Sequence, residues 1–134
     1  ELLLGKNINL GIEIIDGSPG IGCPVLASMS GANMVLLVTE PTLSGYSDMT
    51  RIAKTARNLS LPTAVCINKV TSDLRNIDKI TDYCHEYNIP MIGTIPYDKE
   101  VSVNINKGLS IVDTVCMAGD AVKKIYEKVL VLMN

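Results

Sequence analysis

The stretch IEIIDGSPGIGCP, residues 12–24, runs from a β-branched apolar segment into one carboxylate and then into a Gly/Pro-rich turn. Three later stretches are apolar runs of the same kind, each followed by polar residues. Gly11 to Ile15, Met34 to Thr39, Thr63 to Ile67 and Met91 to Ile95 are short runs, apolar rather than alternating but for Glu13 in the first. Strands buried on both faces read this way. Helical periodicity fills the intervals over Cys23 to Ser30, Tyr46 to Leu59 and Asp73 to Tyr87, and again over Thr114 to Leu132. Strand and helix alternating at these lengths predict an α/β fold, a parallel sheet flanked by helices.

The helical stretches are amphipathic. The second carries Met49, Ile52, Ala53 and Ala56 on one face, with Arg51, Lys54 and Arg57 turned elsewhere. The third sets Leu74, Ile77, Ile80, Tyr83 and Cys84 on one stripe, with Ser72 or Asp73 as a start signal. The last aligns Val115, Ala118, Val122, Ile125, Val129 and Leu132, leaving Lys123, Lys124 and Lys128 for solvent.

Bulk properties narrow the class. A chain of 134 residues, 47% hydrophobic, is the size of one domain with a substantial core. A net charge of −2 lacks the basic footprint of a nucleic-acid binder, so no nucleic-acid partner is expected. The cysteines at 23, 66, 84 and 116 form no close C-x-x-C pair, which predicts free, mostly buried thiols and no disulfides. No apolar run approaches the length of a membrane span, and a cytoplasmic protein is expected. His85, the only histidine, follows Cys84 directly; adjacent helical residues do not face each other, so it reads as a solvent-exposed helix residue rather than a base for the thiol.

Ligands of open parallel sheets bind beyond the carboxyl ends of the strands. The residues there are Asp16-Gly17-Ser18-Pro19-Gly20, Thr39-Glu40-Pro41-Thr42, Asn68-Lys69 and Pro96-Tyr97-Asp98. A carboxylate leaving an apolar strand is costly unless paired, hydrogen-bonded or facing a cation. Magnesium, usually held by one or two carboxylates with waters and phosphate oxygens, is one such partner. Gly17 and Gly20 allow close backbone approach to a phosphate. Asp-Gly and Ser-Pro-Gly are also ordinary turn chemistry, and on these residues alone both readings stay open.

The four motifs DGSPGIGCP, NMVLLVTEPTLSGYSDMTR, AVCINKV and IGTIPYD, in this order, resemble the second half of MinD/ParA-type ATPases, the deviant P-loop (SIMIBI) class. Nearest in pattern is the MinD-like subfamily with an inserted ferredoxin-type domain, cobyrinic acid a,c-diamide synthase-like. The resemblance covers about residue 11 to about residue 113. It implies catalytic roles for Asp16, holding Mg2+ through water, and for Gly20, whose amide senses the terminal phosphate. It further implies nucleotide contacts by Gly17, Gly20, Thr39, Glu40, Pro41, Asn68, Pro96, Tyr97 and Asp98, with Asn68 reading adenine. The implied cofactors are ATP and Mg2+, an iron–sulfur cluster would sit only in an insert upstream, and the implied state is a homodimer.

The Walker A pattern G-x-x-x-x-G-K-[ST] is absent; Gly5-Lys6-Asn7 reads as a surface turn. The chain therefore reads as a single α/β domain, residues 1–134, the carboxyl-terminal fragment of a P-loop NTPase fold without its Walker A strand. The strands ending at Asp16 and Thr39 are then expected to pair directly or to dimerise. The functional expectation is the nucleotide-binding half of an ATP-dependent switch, with iron–sulfur or electron-transfer coupling in the parent. Competing readings are a cobyrinate- or biotin-pathway amidoligase-like ATPase domain and a non-enzymatic α/β interaction module.

Overall fold

Each apolar run sits in the sheet and each periodic stretch lies across it. The computed structural model describes residues 2–7 and 11–134. Its strands are β1 (Leu2–Asn7), β2 (Gly11–Asp16), β3 (Met34–Thr39), β4 (Thr63–Val70) and β5 (Met91–Pro96). Its helices are α1 (Cys23–Met29), α2 (Leu43–Asn58), α3 (Arg75–Glu86), α4 (Lys99–Asn106) and α5 (Met117–Met133). The sheet order is β2-β1-β3-β4-β5. β3, β4 and β5 are mutually parallel, and β1 is antiparallel to both β2 and β3, so β2 runs with the other three.

β1 corrects two expectations. Gly5-Lys6-Asn7 is strand, not a surface turn, and β2 and β3 neither pair directly nor lie bare. β1 pairs along its whole length with β2, from Leu2↔Asp16 to Asn7↔Gly11, and through Leu2–Leu4 with Leu36–Met34 of β3. The physical reason is local: an antiparallel partner needs only a short connection, whereas a parallel one needs a crossover.

β2 corrects a third. It is the sheet edge and is largely exposed, with Ile14 at 52%, whereas β3 and the first part of β4 are buried on both faces. One sheet face carries Val35, Leu37, Val65 and Ile67 against α1, α2 and α3, through Val25, Met29, Ile52, Ala53, Ala56 and Ile80. The other carries Met34, Leu36, Ala64, Cys66 and Ile92 against Ile125 and Val129 of α5. Leu74 and Val115, assigned to apolar stripes in the sequence, precede α3 and α5 and are exposed.

Helix starts follow side-chain chemistry more closely than periodicity. Thr42 Oγ1 accepts from Gly45 N at 2.9 Å and begins α2 three residues before the periodic stretch. Asp73 Oδ1 accepts from Arg75 N at 3.2 Å, and its Oδ2 pairs with the Arg75 guanidinium at 2.9 Å. That guanidinium holds the Asp73 carboxyl down at about 2. α4, absent from the expected helices, begins where Asp98 Oδ1 accepts from Glu100 N at 3.0 Å.

α2, α3 and α4 all end with a hydrogen bond that reaches back five residues, from Leu61 N to Ala56 O, Ile89 N to Cys84 O and Leu109 N to Asn104 O. In α2 and α3 the left-handed residue this ending needs is not glycine but Ser60 (φ 55°) and Asn88 (φ 54°). A left-handed side-chain-bearing residue costs about 1–2 kcal/mol, against about 0.5–1 kcal/mol for glycine's extra entropy. Ser60→Gly is therefore expected to stabilise the chain by about 0.5–1 kcal/mol in urea unfolding. Ser60→Val is expected to destabilise it by at least as much, because a β-branched residue tolerates this region least.

Candidate functional site

Because β2, β3, β4 and β5 point the same way, their carboxyl ends share one edge of the sheet. At the β2 end Asp16 is exposed, and its carboxylate has no hydrogen-bond or ion-pair partner among the described residues. Residues 17–22 follow as a loop, bent over its last four residues, with Gly20 at φ 95° and nothing within 4 Å of where a Cβ would stand. Gly22 then caps α1 without a side-chain bond.

At the β3 end Thr39 is buried and Glu40 is exposed. A Cβ on Gly45 would fall on the Glu40 carbonyl oxygen and within 3.0 Å of Thr39 Oγ1, so only glycine lets α2 start this close to the strand end. Asn76 Nδ2 of α3 donates to Pro41 O at 3.2 Å, tying the β3 loop to the helix beyond β4.

The β4 end is irregular. Ile67 pairs with Thr94 and Val70 with Pro96, so three steps along β4 match two along β5. Within that stretch Asn68 Oδ1 accepts from Lys69 N at 2.8 Å, which leaves the Asn68 Nδ2 hydrogens as the donors it presents. Lys69 has φ 55°, and its Nζ lies 2.6 Å from Glu40 Oε1. The hydrogen bond to Glu40 raises the Lys69 pKa, reinforced by the Glu40 charge. At the β5 end Tyr97 N donates to Val70 O at 2.8 Å, and the Tyr97 side chain is exposed.

Asp98 joins two helices. Oδ1 accepts from Glu100 N at 3.0 Å in α4, and Oδ2 accepts from Ala118 N at 3.2 Å in α5. Both carboxylate oxygens are thus engaged by helix N-termini, where negative charge is favoured.

Thr39, Glu40, Pro41, Asn68, Pro96, Tyr97 and Asp98 accordingly lie on three adjacent strand ends. Asp16, Gly17 and Gly20 stand apart. Leu2 of β1 pairs with both Asp16 and Leu36, so Asp16 lies two strand spacings, about 10 Å, from β3 and three residues short of the Thr39 level. Lys69 was named at a strand end but given no role, and Asn76 and Ala118 were not named. Asn76, half-buried in the first turn of α3, carried no signal in the sequence.

The donor set was tested for a metal. Among the described residues no group of three or more His, Cys, Asp or Glu side chains could hold an ion. A single exposed carboxylate at Asp16 fits a Mg2+ ion held through water and completed by phosphate oxygens, and fits no ion needing an all-protein cage. At Cys66 and Cys84 thiol chemistry is disfavoured, because burial pushes both thiols up to about 11.

A parallel core sheet with helices on both faces, and ligand groups at the strand ends, is the fold of the P-loop ATPases. The particular likeness is to MinD, a ParA-type ATPase. The chain superposes on the cell division ATPase MinD of Pyrococcus furiosus with a TM-score of 0.74 at 19% identity, over 87% of this chain and 50% of that one. It superposes on the MinC:MinD cell division protein complex of Aquifex aeolicus with a TM-score of 0.69 at 19% identity, over 83% and 48%. In sequence it is 29% identical over 106 residues to the septum site-determining protein MinD of Tupiella akineta, covering 76% of this chain and 35% of that protein. It is also 35% identical over 106 residues to an uncharacterized protein of Methanocaldococcus jannaschii, covering 79% and 35%. Sequence and fold together establish homology to MinD. The chain spans about a third of the length of these two curated relatives. No protein-family model matches it.

Two outcomes follow from the site. Asp98→Ala is expected to cost about 1–2 kcal/mol, since one carboxylate caps two helices, and to speed amide exchange at both Glu100 and Ala118. Unchanged exchange at Ala118 would show that α5 does not depend on that carboxylate. Of the four free cysteines only Cys23 is exposed. At pH 8 it is expected to react with a disulfide reagent well before the other three, and Cys66 and Cys84 only on unfolding, because thiols pushed to about 11 carry little thiolate there.

Proposed function

We propose that this chain is the metal- and base-binding half of a MinD/ParA-type, ATP-dependent switch. The observation that carries the reading is the alignment of four parallel strand ends, bearing Asp16 to Gly20, Thr39 to Pro41, Asn68 and Pro96 to Asp98, on one edge of a fold homologous to MinD. Asn68 presents donors to a purine acceptor, while Pro96 and the exposed Tyr97 ring flank the base. Asp16 would hold Mg2+ through its water shell, and the bound ion would supply charge neutralisation on the phosphates. The open Gly20 loop would contribute a backbone amide to the terminal phosphate, and its geometry would follow the state of that phosphate.

In this reading residues 1–134 act as one α/β domain equivalent to the carboxyl-terminal part of the ATPase, and nucleotide sits between two copies. A protein client is part of this reading, in keeping with the fold likeness to a MinD solved in complex with MinC. The narrower likeness to the ferredoxin-bearing subfamily rests on the sequence motifs alone. Any iron–sulfur cluster would belong to residues other than those described. No helix among the described residues is long and apolar enough to cross a membrane.

The phosphates would be gripped only weakly, because the sequence holds no Walker A loop. The purified chain with Mg2+ and ATP is expected to bind nucleotide in equilibrium dialysis without releasing phosphate. Asn68→Ala should weaken that binding roughly 10-fold by removing a donor to the base. Magnesium-dependent hydrolysis that Asp16→Ala abolishes would show that the chain completes the reaction by itself, and absence of any nucleotide binding would overturn the reading.

A further inference from the structure

Three described residues other than glycine have left-handed backbones: Ser60, Lys69 and Asn88. Ser60 and Asn88 close helices, where that conformation is the ordinary ending. Lys69 closes nothing. It lies within β4, in the stretch where the pairing to β5 slips by one residue, and lysine rarely visits this region. Such strain persists only where the surroundings impose it, and it clusters at ligand sites.

The ion pair with Glu40 does not account for it. Both side chains are more than two-fifths exposed, at 57% and 47%, and solvent-exposed pairs return little net stability. The consequence of the conformation is positional. With the backbone turned this way the ammonium reaches from the β4 end across to the β3 end, 2.6 Å from Glu40 Oε1. In the order β2-β1-β3-β4-β5 that is the direction from Asn68 toward Asp16. The ammonium therefore lies between Asn68 and Asp16 in strand order.

We propose that Lys69 is a ligand-binding residue whose ammonium, held on Glu40 in the free chain, takes an oxygen of the phosphate nearest the nucleoside. Glu40 is the placeholder for that phosphate: it keeps the flexible lysine stem at the strand ends, and releases it when a more highly charged acceptor arrives. The three ammonium donors suit a tetrahedral phosphate, and exchange of one anionic acceptor for another leaves the site's hydrogen bonding intact. The proposal rests on the nucleotide reading given above.

The test compares adenosine with adenosine monophosphate, which differ only by the group Lys69 would hold. Calorimetric titration of the whole chain in Mg2+ buffer, together with thermal unfolding, is run on the natural sequence, Lys69→Gly and Glu40→Gln. The natural chain should bind the monophosphate roughly 10-fold more tightly than adenosine, the scale of one charge-assisted hydrogen bond. Lys69→Gly should remove that difference, leave adenosine binding as it was, and unfold at the same temperature or higher because glycine relieves the backbone. Glu40→Gln should tighten the monophosphate alone. If Lys69→Gly keeps the full preference for the monophosphate, or lowers the unfolding temperature by several degrees, the proposal is wrong while the nucleotide reading survives. If the natural chain binds neither compound, both fall together.

Discussion

The common direction of β2, β3, β4 and β5 is the constraint on which the site depends. Parallel neighbours cannot be joined by a tight turn, so every strand end at one edge is followed by a loop that leads into a helix. α1, α2, α3 and α4 each begin just beyond such an end. The edge therefore collects loop residues, exposed backbone amides and helix N-termini, all with the same polarity. Reversing β1 leaves this arrangement intact, because β1 contributes its opposite end to that edge.

Close packing at the same edge limits how far its loops can move. Gly45 lets α2 begin against the Glu40 carbonyl, Asn76 ties Pro41 to α3, and Asp98 fastens α4 and α5 to the end of β5. Residues at the β3, β4 and β5 ends are thereby fixed relative to one another. The loop after Asp16 has no comparable fastening: Gly20 has open space around it and α1 has no side-chain cap. The edge thus combines three strand ends tied by hydrogen bonds and close packing with one loop that lacks such ties among the described residues.

What could be read from the sequence divides along physical lines. β3 was legible to the residue, β5 to within one and β4 to within three; in β3 and the first part of β4 burial on both faces writes an unbroken apolar run, while Pro62 and Pro90 mark where β4 and β5 begin. β2 is nearly as apolar, with Glu13 the exception, but lies at an edge, and composition does not report how many neighbours a strand has. β1 was missed because Gly5-Lys6-Asn7 carries turn residues; its pairing is set by β2, not by local preference. α4 was missed although the Asp98 cap marks its start. Among the site residues, those directly after apolar runs were found. Lys69 and Asn76 act through partners distant in sequence, Glu40 and Pro41, and no local pattern encodes such pairs.

The separation between the two parts of the edge decides what size of ligand could use both. Asn68 and Pro96 lie three and four strand spacings from β2, about 14 and 19 Å, and Asp16 is set back along its strand as well. A phosphoryl group, a lone metal ion or a free base can touch one part only. A receiver-like module would need its acidic pair and its phosphoacceptor together, and β4 ends in an amide and a lysine, far from Asp16. An extended ligand with a planar base at one end and metal-bound anionic groups at the other spans the gap. In the proposed pose Lys69, which lies between the two parts in strand order, would meet the middle of the ligand.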